Sequence, residues 1–188
     1  MEDLVISIRI IAGTARGRTI EVPPGFEIRP TLNRVREALF NILMPRIPES
    51  RFLDLFAGSG ANGIEALSRG AIQATFGEES AASLRILRAN LTKVGFVKKA
   101  HVVHATLPKD AHLLLGGGKG YDIIFADPPY RYEDYHGLGD AIAAHRLLNA
   151  DGVVVIEHHA DSKVTDELGP FKRDRIAKYG EVRLSFYY

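Results

Sequence analysis

The stretch Phe52–Ala66 constrains the fold of this chain more than any other. It reads Phe-Leu-Asp-Leu-Phe-Ala-Gly-Ser-Gly-Ala-Asn-Gly-Ile-Glu-Ala, an apolar run followed by three glycines and the start of a helix. A buried strand that turns through glycines into a helix gathers backbone N–H groups and the positive end of the helix at one point, which suits a nucleotide-like ligand. The glycines also let such a ligand approach the backbone closely. The stretch therefore predicts a βα unit with a ligand site at its turn.

Two cofactors fit this turn. Gly58, Gly60 and Gly63 satisfy the G-x-G-x-x-G pattern of dinucleotide-binding proteins, and Glu78 lies about twenty residues further on, where a ribose-binding acid is expected. Read from Asp54, the same residues spell D-x-F-x-G-x-G, which looks like the loop that holds S-adenosylmethionine. A tight turn without any ligand is a third reading, because glycine punctuates many βα units. The turn alone does not choose among the three.

Composition narrows the class of protein. With 188 residues, 46% of them hydrophobic, the chain suits one domain with a sizeable core. It has 0 cysteines, which excludes disulfides, thiolate metal sites and a cysteine nucleophile, and its 7 histidines show no metal-ligand spacing, so we expect no metal. No apolar run approaches a membrane span and Met1–Leu4 is too acidic for a secretory signal. We therefore expect a cytoplasmic protein with no membrane partner.

Residues 1–50 predict a β-hairpin and a helix that extend a core formed by residues 51–188. Two short strand-like runs flank a turn bounded by Gly13 and Gly17. A helix is expected to follow from Pro30, because the apolar residues after it recur at helical spacing, namely Leu32, Val35, Leu39 and Ile42.

Arginines are concentrated in this extension. Although the net charge of the chain is only +1, six arginines stand between positions 9 and 36 against two glutamates, namely Arg9, Arg16, Arg18, Arg29, Arg34 and Arg36. Guanidinium groups bind phosphate bidentately and stack on bases, as a nucleic-acid-binding surface requires. An ordinary solvated basic surface would show the same charge pattern, so charge alone leaves both readings open.

From Arg51 onward the chain alternates between strand and helix patterns, which is typical of a parallel sheet with crossover helices. After the strand at Phe52, further strands are predicted at 74–77, 101–104, 121–126, 153–156, 173–178 and 182–187. Helices are predicted from the glycine turn to about Arg69, across Leu84–Val94, and from Asp134 to about Leu148.

A second motif, Asp127-Pro128-Pro129-Tyr130, directly follows one of these buried strands. It should therefore lie at the carboxyl edge of the sheet, where open α/β folds bind ligands. The two prolines remove N–H donors and leave carbonyl oxygens and one carboxylate facing the cleft. Such a site suits an exocyclic amino group, with Asp127 and the Pro128 carbonyl accepting its N–H bonds and Tyr130 stacking on the ring.

An amino nitrogen held in this way can be aimed at an electrophilic methyl carbon, so transfer depends mainly on positioning. This pairing of motifs favours S-adenosylmethionine over a nicotinamide cofactor, because the roughly sixty residues after Tyr130 are too few for a separate substrate domain. The absence of cysteine excludes carbon-5 methylation of pyrimidines, which usually begins with attack by a thiolate.

Along nearly its whole length the chain resembles the RsmD family, bacterial methyltransferases that modify a guanine N2 amino group of small-subunit ribosomal RNA. The matching stretches are Arg9–Gly13, Arg16–Arg18, Arg29–Thr31, Arg34–Asn41, Asp54–Gly60, Gly63–Arg69 and Asp127–Tyr130. The last three stretches are shared with many amino-methyltransferases, whereas the arginine-bearing N-terminal stretches are more specific.

The resemblance implies an α/β fold, Rossmann-like and seven-stranded, of the S-adenosylmethionine-dependent methyltransferases, with an N-terminal β-hairpin and helix that dock RNA. It implies a monomer that acts on 16S ribosomal RNA in an assembling small subunit. The implied target site consists of Asp127, Pro128 and Tyr130. The implied cofactor site consists of Thr31, Asp54, Phe56, Gly58, Gly60, Glu78 and Ala105. The implied RNA contacts are Arg9, Arg16, Arg18, Arg29 and Arg34.

Two other functions remain open from the residues. A DNA amino-methyltransferase also uses D-P-P-Y, for adenine N6 or cytosine N4, but usually carries a sizeable target-recognition region that this chain lacks. A non-catalytic RNA-binding assembly factor on a degenerate methyltransferase fold is the second. The presence of Asp54, Glu78 and Asp127 argues against it.

Overall fold

The computed structural model describes residues 6–23 and 30–188, and of residues 30–32 it describes the backbone alone. The helices are α1 Pro30–Leu43, α2 Ala61–Ser68, α3 Ala81–Val94 and α4 Tyr135–Ala144. The strands are β1 Ser7–Arg9, β2 Thr19–Glu21, β3 Arg51–Asp54, β4 Gln73–Glu78, β5 Ala100–His104, β6 Tyr121–Ala126, β7 Leu148–His159, β8 Glu167–Leu168, β9 Phe171–Tyr179 and β10 Val182–Tyr187. Across these described ranges, no helix combines the length and apolarity that crossing a bilayer demands.

The centre of the molecule is one mixed sheet with the strand order β5-β4-β3-β6-β7-β10-β9-β8. The first five strands in this order, from β5 through β4, β3 and β6 to β7, run parallel to one another. Strands β10, β9 and β8 are each antiparallel to their neighbours. The order reverses between β3 and β6, since β4 and β5 lie on one side of β3 and β6 and β7 on the other. Ligands of open α/β sheets bind at the carboxyl ends of the strands at such a switch point.

Successive residues of the central strands alternate between two hydrophobic clusters. In β3, Phe52 packs in the cluster that contains residues of α1, α2 and α3, whereas Leu53 packs in the cluster that contains residues of α4. In β7, Val153 and Val155 belong to the first cluster and Val154 to the second. Because both faces are covered, these strands appear in the sequence as continuous apolar runs.

The predicted hairpin is present as the antiparallel pair β1 and β2, and it docks on α2 through a buried carboxylate. Glu65 of α2 is fully buried and accepts hydrogen bonds from the backbone N–H groups of Ile11 at 2.8 Å and Ala12 at 3.0 Å. Arg69 pairs with the same carboxylate at 2.7 Å. A buried charge must be paired and hydrogen-bonded to be tolerated, and Glu65 meets that condition only with the hairpin in place.

The last residue of α2 completes this docking. The Ser68 hydroxyl donates to the Ala12 carbonyl at 2.5 Å and accepts from the Ala15 N–H at 2.9 Å. Gly13 passes so close that a Cβ there would lie 1.8 Å from the Ser68 carbonyl oxygen, and its φ is +82°. Position 13 therefore requires glycine for both conformation and space.

The fold class predicted from the sequence is confirmed, with differences at particular elements. Helix α4 ends at Ala144 rather than near Leu148, because Arg146 adopts a positive φ of 50° and Leu148 already pairs with Tyr121 in the sheet. A two-residue strand, Glu167–Leu168, was not predicted and makes the sheet eight-stranded instead of seven-stranded.

Candidate active site

The switch point brings the two sequence motifs together. Asp54, the last residue of β3, is the register partner of Phe125 in β6, two residues before Asp127. The pairing continues past the strand end, where the Leu55 N–H donates to the Phe125 carbonyl at 2.9 Å. The glycine turn and the D-P-P-Y segment thus leave the same edge of the sheet from adjacent strands.

Two glycines of the turn, Gly58 and Gly60, are required for different reasons. Gly58 has a φ of +51°, and a Cβ added there would meet nothing within 4 Å. Gly60 has a φ of +84° and caps α2, and its Cβ would lie 2.2 Å from Cδ1 of Leu87 on α3. Gly58 is therefore the glycine beside open space, whereas Gly60 permits the close approach of α2 and α3.

A pocket of about 420 Å³ opens beside this turn, and we call it the glycine-side pocket. Its walls come from the ends of β3, β4, β5 and β6, and they comprise Leu55, Phe56, Gly58, Glu78, Glu79, Ala105, Leu107, Asp127, Pro129 and Tyr132. Four of the predicted cofactor-binding residues line it, namely Phe56, Gly58, Glu78 and Ala105. Its volume lies within the range of about 300–1,000 Å³ that is usual for small-molecule sites.

Glu78 is held in a fixed orientation at the wall of this pocket. One carboxylate oxygen accepts from the Gly58 N–H at 2.8 Å and the other from the Ser80 N–H at 2.7 Å. Each carboxylate oxygen has a second lone pair for another donor. Glu78 can therefore accept hydroxyl groups of a ligand without giving up its backbone contacts.

Asp54 lies behind the pocket and not on its surface. It is buried, its Oδ2 accepts from the Gly63 N–H at 3.3 Å, and its Oδ1 has no hydrogen-bond partner among the described residues. Burial, with the charges of Asp127 and Glu78 adding to it and the Gly63 N–H opposing it, raises the pKa of Asp54 to about 7. A buried carboxylate oxygen without a partner is costly, and such oxygens are rare outside functional sites.

A second, smaller pocket of about 170 Å³ lies on the other side of the D-P-P-Y segment, and we call it the proline-side pocket. The target-site residues predicted from the sequence, Asp127, Pro128 and Tyr130, all line it. Tyr130 is 75% exposed, and the edge of its ring meets His159 with centroids 5.7 Å apart. A largely exposed aromatic ring at the mouth of a pocket is suited to stacking on a planar ligand.

Asp127 is the acidic residue that lines both pockets. The residues packed around the Asp127 carboxyl group partly desolvate it and raise its pKa to about 6. The residue as a whole still has surface exposed to solvent. At neutral pH its carboxylate is therefore largely ionised and accepts hydrogen bonds. The arrangement can bring a ligand in one pocket into contact with a ligand in the other.

Three aromatic rings stiffen this wall. Phe56 contacts Tyr132 edge-on with centroids 5.4 Å apart, and Tyr132 contacts Tyr135 in the same way at 5.2 Å. Such pairs add about 0.5–1.5 kcal/mol each beyond their buried area. The segment after Asp127 is thus fixed to the glycine turn by packing as well as by its prolines.

Four of the arginines predicted to bind RNA lie outside these two pockets. Arg9, Arg16, Arg18 and Arg34 are exposed and line neither pocket. Arg18 donates to the carbonyl of Val94 at the C-terminal end of α3, which is the end remote from the carboxyl edge of the sheet.

Four other residues singled out from the sequence need separate mention. The expectation that Arg36 belongs to an exposed basic surface is wrong, because it is only 7% exposed and donates to the Arg9 carbonyl at 2.8 Å. Arg29 and the side chain of Thr31 lie outside the described residues. Gly60, like Asp54, does not form part of the surface of the glycine-side pocket.

Some pocket residues were not assigned from the sequence. Glu79 and Leu107 line the glycine-side pocket, and Glu157 and His158 line the proline-side pocket. Glu157 follows the buried run Val153–Ile156, so the rule that located Asp127, a polar residue at the carboxyl end of a buried parallel strand, could also have found it.

This chain is similar to known proteins both in sequence and in structure. Residues 8–188 match the family described as "Conserved hypothetical protein 95". The Bacillus subtilis protein YlbH is 32% identical over 96% of this chain and 98% of its own length. The Escherichia coli ribosomal RNA small subunit methyltransferase D is 46% identical over 66% of this chain and 61% of its own length. The solved structure of the E. coli protein YhhF superposes with a TM-score of 0.79 at 34% identity, covering 97% of each chain.

Proposed function

Because this chain belongs to the Conserved hypothetical protein 95 family, the RsmD family predicted from its sequence, we propose that it is a ribosomal RNA methyltransferase. The reaction is transfer of a methyl group from S-adenosylmethionine to the exocyclic N2 amino group of a guanine in 16S ribosomal RNA. The name of the E. coli relative supports the substrate class at 46% identity.

The observation that carries this proposal is the position of Asp127 in the wall between two pockets of unequal size. Methyl transfer requires a donor and an acceptor held in contact while each occupies its own binding site. The glycine-side pocket, at about 420 Å³, is the larger and is the donor site in this proposal. The proline-side pocket receives the base.

The residues of the glycine-side pocket fit the cofactor. The Glu78 carboxylate can accept the ribose hydroxyls, and the buried Asp54 behind the pocket keeps one carboxyl oxygen, Oδ1, without a partner among the described residues. Phe56 and Ala105 provide apolar wall on either side. S-adenosylmethionine, when bound, supplies the electrophilic methyl group, and its positive charge suits a cleft rich in carboxylates.

In the proline-side pocket, the chain's own groups position the amine. Asp127 and the Pro128 carbonyl accept the two N–H bonds of the guanine amino group, and Tyr130 stacks on the extruded ring. The carboxylate of Asp127 can take up the proton that the nitrogen releases as it forms its bond to carbon. No nucleophilic side chain is required, in keeping with the 0 cysteines of the chain.

We further propose that residues 1–50 dock the RNA onto the core of residues 51–188, through Arg9, Arg16, Arg18, Arg29 and Arg34. The substrate in this proposal is an assembling small ribosomal subunit in the cytoplasm, and the chain acts as a monomer. Exposed arginines bound to phosphate would position a large RNA without reading its sequence.

Incubation of the protein with labelled S-adenosylmethionine and small subunits that lack the modification tests the proposal. We expect label in one guanine, recovered as N2-methylguanosine after nuclease digestion and mapped by primer extension. Heat-denatured protein is the control for carried-over label. Label in adenine or cytosine, or none in RNA, would contradict the proposal. Label in a parallel incubation with DNA in place of the subunits would support the DNA amino-methyltransferase reading instead.

A further inference from the structure

The carboxyl end of β7 places a second acid beside Asp127. Ala126 of β6 and Ile156 of β7 are register partners, so the next residues, Asp127 just beyond β6 and Glu157 within β7, occupy adjacent positions on neighbouring parallel strands. Both residues line the proline-side pocket together with Pro128. The mechanism proposed above uses Asp127 and Pro128 but assigns no role to Glu157.

Glu157 also faces a fixed positive charge. The charges of Asp127 and Arg36 both act on its carboxyl group, and burial followed by the Asp127 charge raises its pKa while Arg36 lowers it. Arg36 is held by hydrogen bonds to the Arg9 carbonyl at 2.8 Å and to Oδ1 of Asn33 at 3.1 Å. Among the described residues none donates a hydrogen bond to Glu157, and its carboxyl group, which lines the proline-side pocket, can accept one from an occupant.

The chemistry of the base supplies the matching donor. The Watson–Crick edge of guanine presents the two N–H bonds of N2 and, directly beside them, the N1–H bond. If Asp127 and the Pro128 carbonyl accept from N2, the neighbouring N1–H still needs an acceptor, because a donor that loses water without gaining a partner is costly. Adenine carries a lone pair at N1 in place of the N–H bond.

We propose that Glu157 accepts a hydrogen bond from N1–H of the target guanine and thereby makes the pocket selective for guanine over purines whose N1 is an acceptor. This inference rests on the proposed function and names the residue that sets its base specificity. An acceptor oxygen in this position attracts the guanine edge and repels a purine with a lone pair at N1.

The test separates the amine from the N1–H bond. Small subunits are reconstituted with RNA that carries either guanine or 2-aminopurine at the mapped position. 2-Aminopurine keeps the 2-amino group but has a lone pair at N1. The wild-type protein should prefer guanine in kcat/KM by about 10- to 100-fold, the usual cost of leaving a buried hydrogen-bonding group unpaired.

Two variants test the proposed hydrogen bond between Glu157 and N1–H of the base. Glu157→Leu removes the acceptor, so the rate on guanine should fall and the preference for guanine over 2-aminopurine should shrink toward one. Glu157→Gln retains an acceptor oxygen and should give an intermediate preference. Glu167→Gln, which changes an exposed carboxylate of β8 outside the lining of the proline-side pocket, is the matched control and should keep the wild-type preference.

The preference ratio distinguishes recognition from mere structural support, because a loosened pocket would slow both purines equally. An unchanged ratio in Glu157→Leu and Glu157→Gln, with guanine still methylated by the wild type, would overturn the role of Glu157 and leave the proposed function standing. A wild-type protein that methylates neither base would overturn the proposed function and this inference together.

Discussion

At the scale of single residues, the site is a cluster of carboxyl groups around one edge of the sheet. Burial raises the pKa of Asp54 to about 7, desolvation raises that of Asp127 to about 6, and burial raises that of Glu157. Neighbouring negative charges disfavour one another in the free protein. A cationic donor and an amino group relieve that repulsion, so the cluster is better suited to the bound state than to the free one.

Removing the carboxylate of Asp127 should separate chemistry from cofactor binding. In Asp127→Ala the amine loses an acceptor that positions it, so single-turnover transfer should slow by about 100- to 1,000-fold, the usual effect of removing one preorganised group. Cofactor affinity, measured by calorimetry, should stay nearly unchanged, because Glu78 and Asp54 remain. The exposed Asp174→Ala serves as the control. Equal losses in rate and in cofactor affinity would show that Asp127 belongs to the cofactor site alone.

The raised pKa of Asp127 also predicts how activity depends on pH. Below about pH 6 the carboxyl group is protonated and is a poor acceptor for the amine, so kcat/KM should rise with pH through about 6 and then level off. Asp54, with a pKa of about 7, titrates nearby, so the assignment needs a variant. Asp127→Asn, which cannot ionise, should lose the limb at about pH 6. A wild-type profile that is flat from pH 5 to 8 would refute the assignment.

At the scale of elements, the hairpin and α2 behave as one unit. Glu65 and Ser68 hold the chain around Gly13 with their side chains, and these contacts span more than fifty positions of sequence. If any one of these hydrogen-bonded groups is removed, its partner is left buried and unpaired, and the network no longer stabilises the fold. The hairpin should therefore unfold cooperatively with the core.

Two glycines in the same turn give a matched test of this docking. Gly13 and Gly17 have nearly equal φ values of +82° and +84°, but a Cβ at Gly13 would strike the Ser68 carbonyl whereas one at Gly17 would meet nothing within 4 Å. Gly17→Ala should cost only the conformational term of about 1–2 kcal/mol. Gly13→Ala should cost about 3 kcal/mol because overpacking is added. Urea denaturation measures both, and equal losses would contradict the close contact.

Most elements could be predicted because their signals are local. The apolar spacing of α3 predicts a helix, and the glycine turn before α2 predicts where that helix begins. The end of α4 and the start of β7 could not be located in this way, since Leu148 joins the sheet only through pairing with Tyr121, a residue 27 positions earlier. Strand β8 is two residues long and exists by pairing with β9, so no periodicity could indicate it.

At the scale of the whole molecule, the sequence predicts that the two motifs meet at one edge of the sheet, but it does not separate exposed from buried arginines. Asp127 and the glycine turn follow predicted strands, and the rule that parallel strands share a carboxyl edge brings them together without further information. The rule does not give the strand order, so the sequence did not show that Glu157 of β7 lies beside Asp127 on the neighbouring strand. Likewise, charge counts cannot tell an exposed arginine from Arg36, which is buried.

The arginines of the hairpin turn lie on a different part of the molecule from the pockets. The hairpin turn packs on Ser68 at the C-terminal end of α2, and Arg18 donates a hydrogen bond to Val94 at the C-terminal end of α3. Both pockets lie at the opposite edge of the sheet, where these two helices begin. Helix α2 alone spans about 12 Å along this direction. Only a nucleic acid larger than one nucleotide can touch both places, so contact at the hairpin and transfer at the pocket should be separable.

This separation predicts the effect of Arg16→Ala combined with Arg18→Ala. The double variant should bind 16S ribosomal RNA more weakly, and the slope of log affinity against log salt should become less steep by about one to two, one for each lost phosphate contact. Single-turnover transfer at saturating RNA should stay close to wild type, because neither residue lines a pocket. Lys172→Ala with Lys178→Ala removes two exposed charges from β9 and is the control for bulk charge. Melting curves check that losing the Arg18 contact with Val94 has not unfolded the hairpin. If the salt slope stays at the wild-type value, or the control pair changes it equally, the arginines form an ordinary solvated surface and the RNA is held elsewhere.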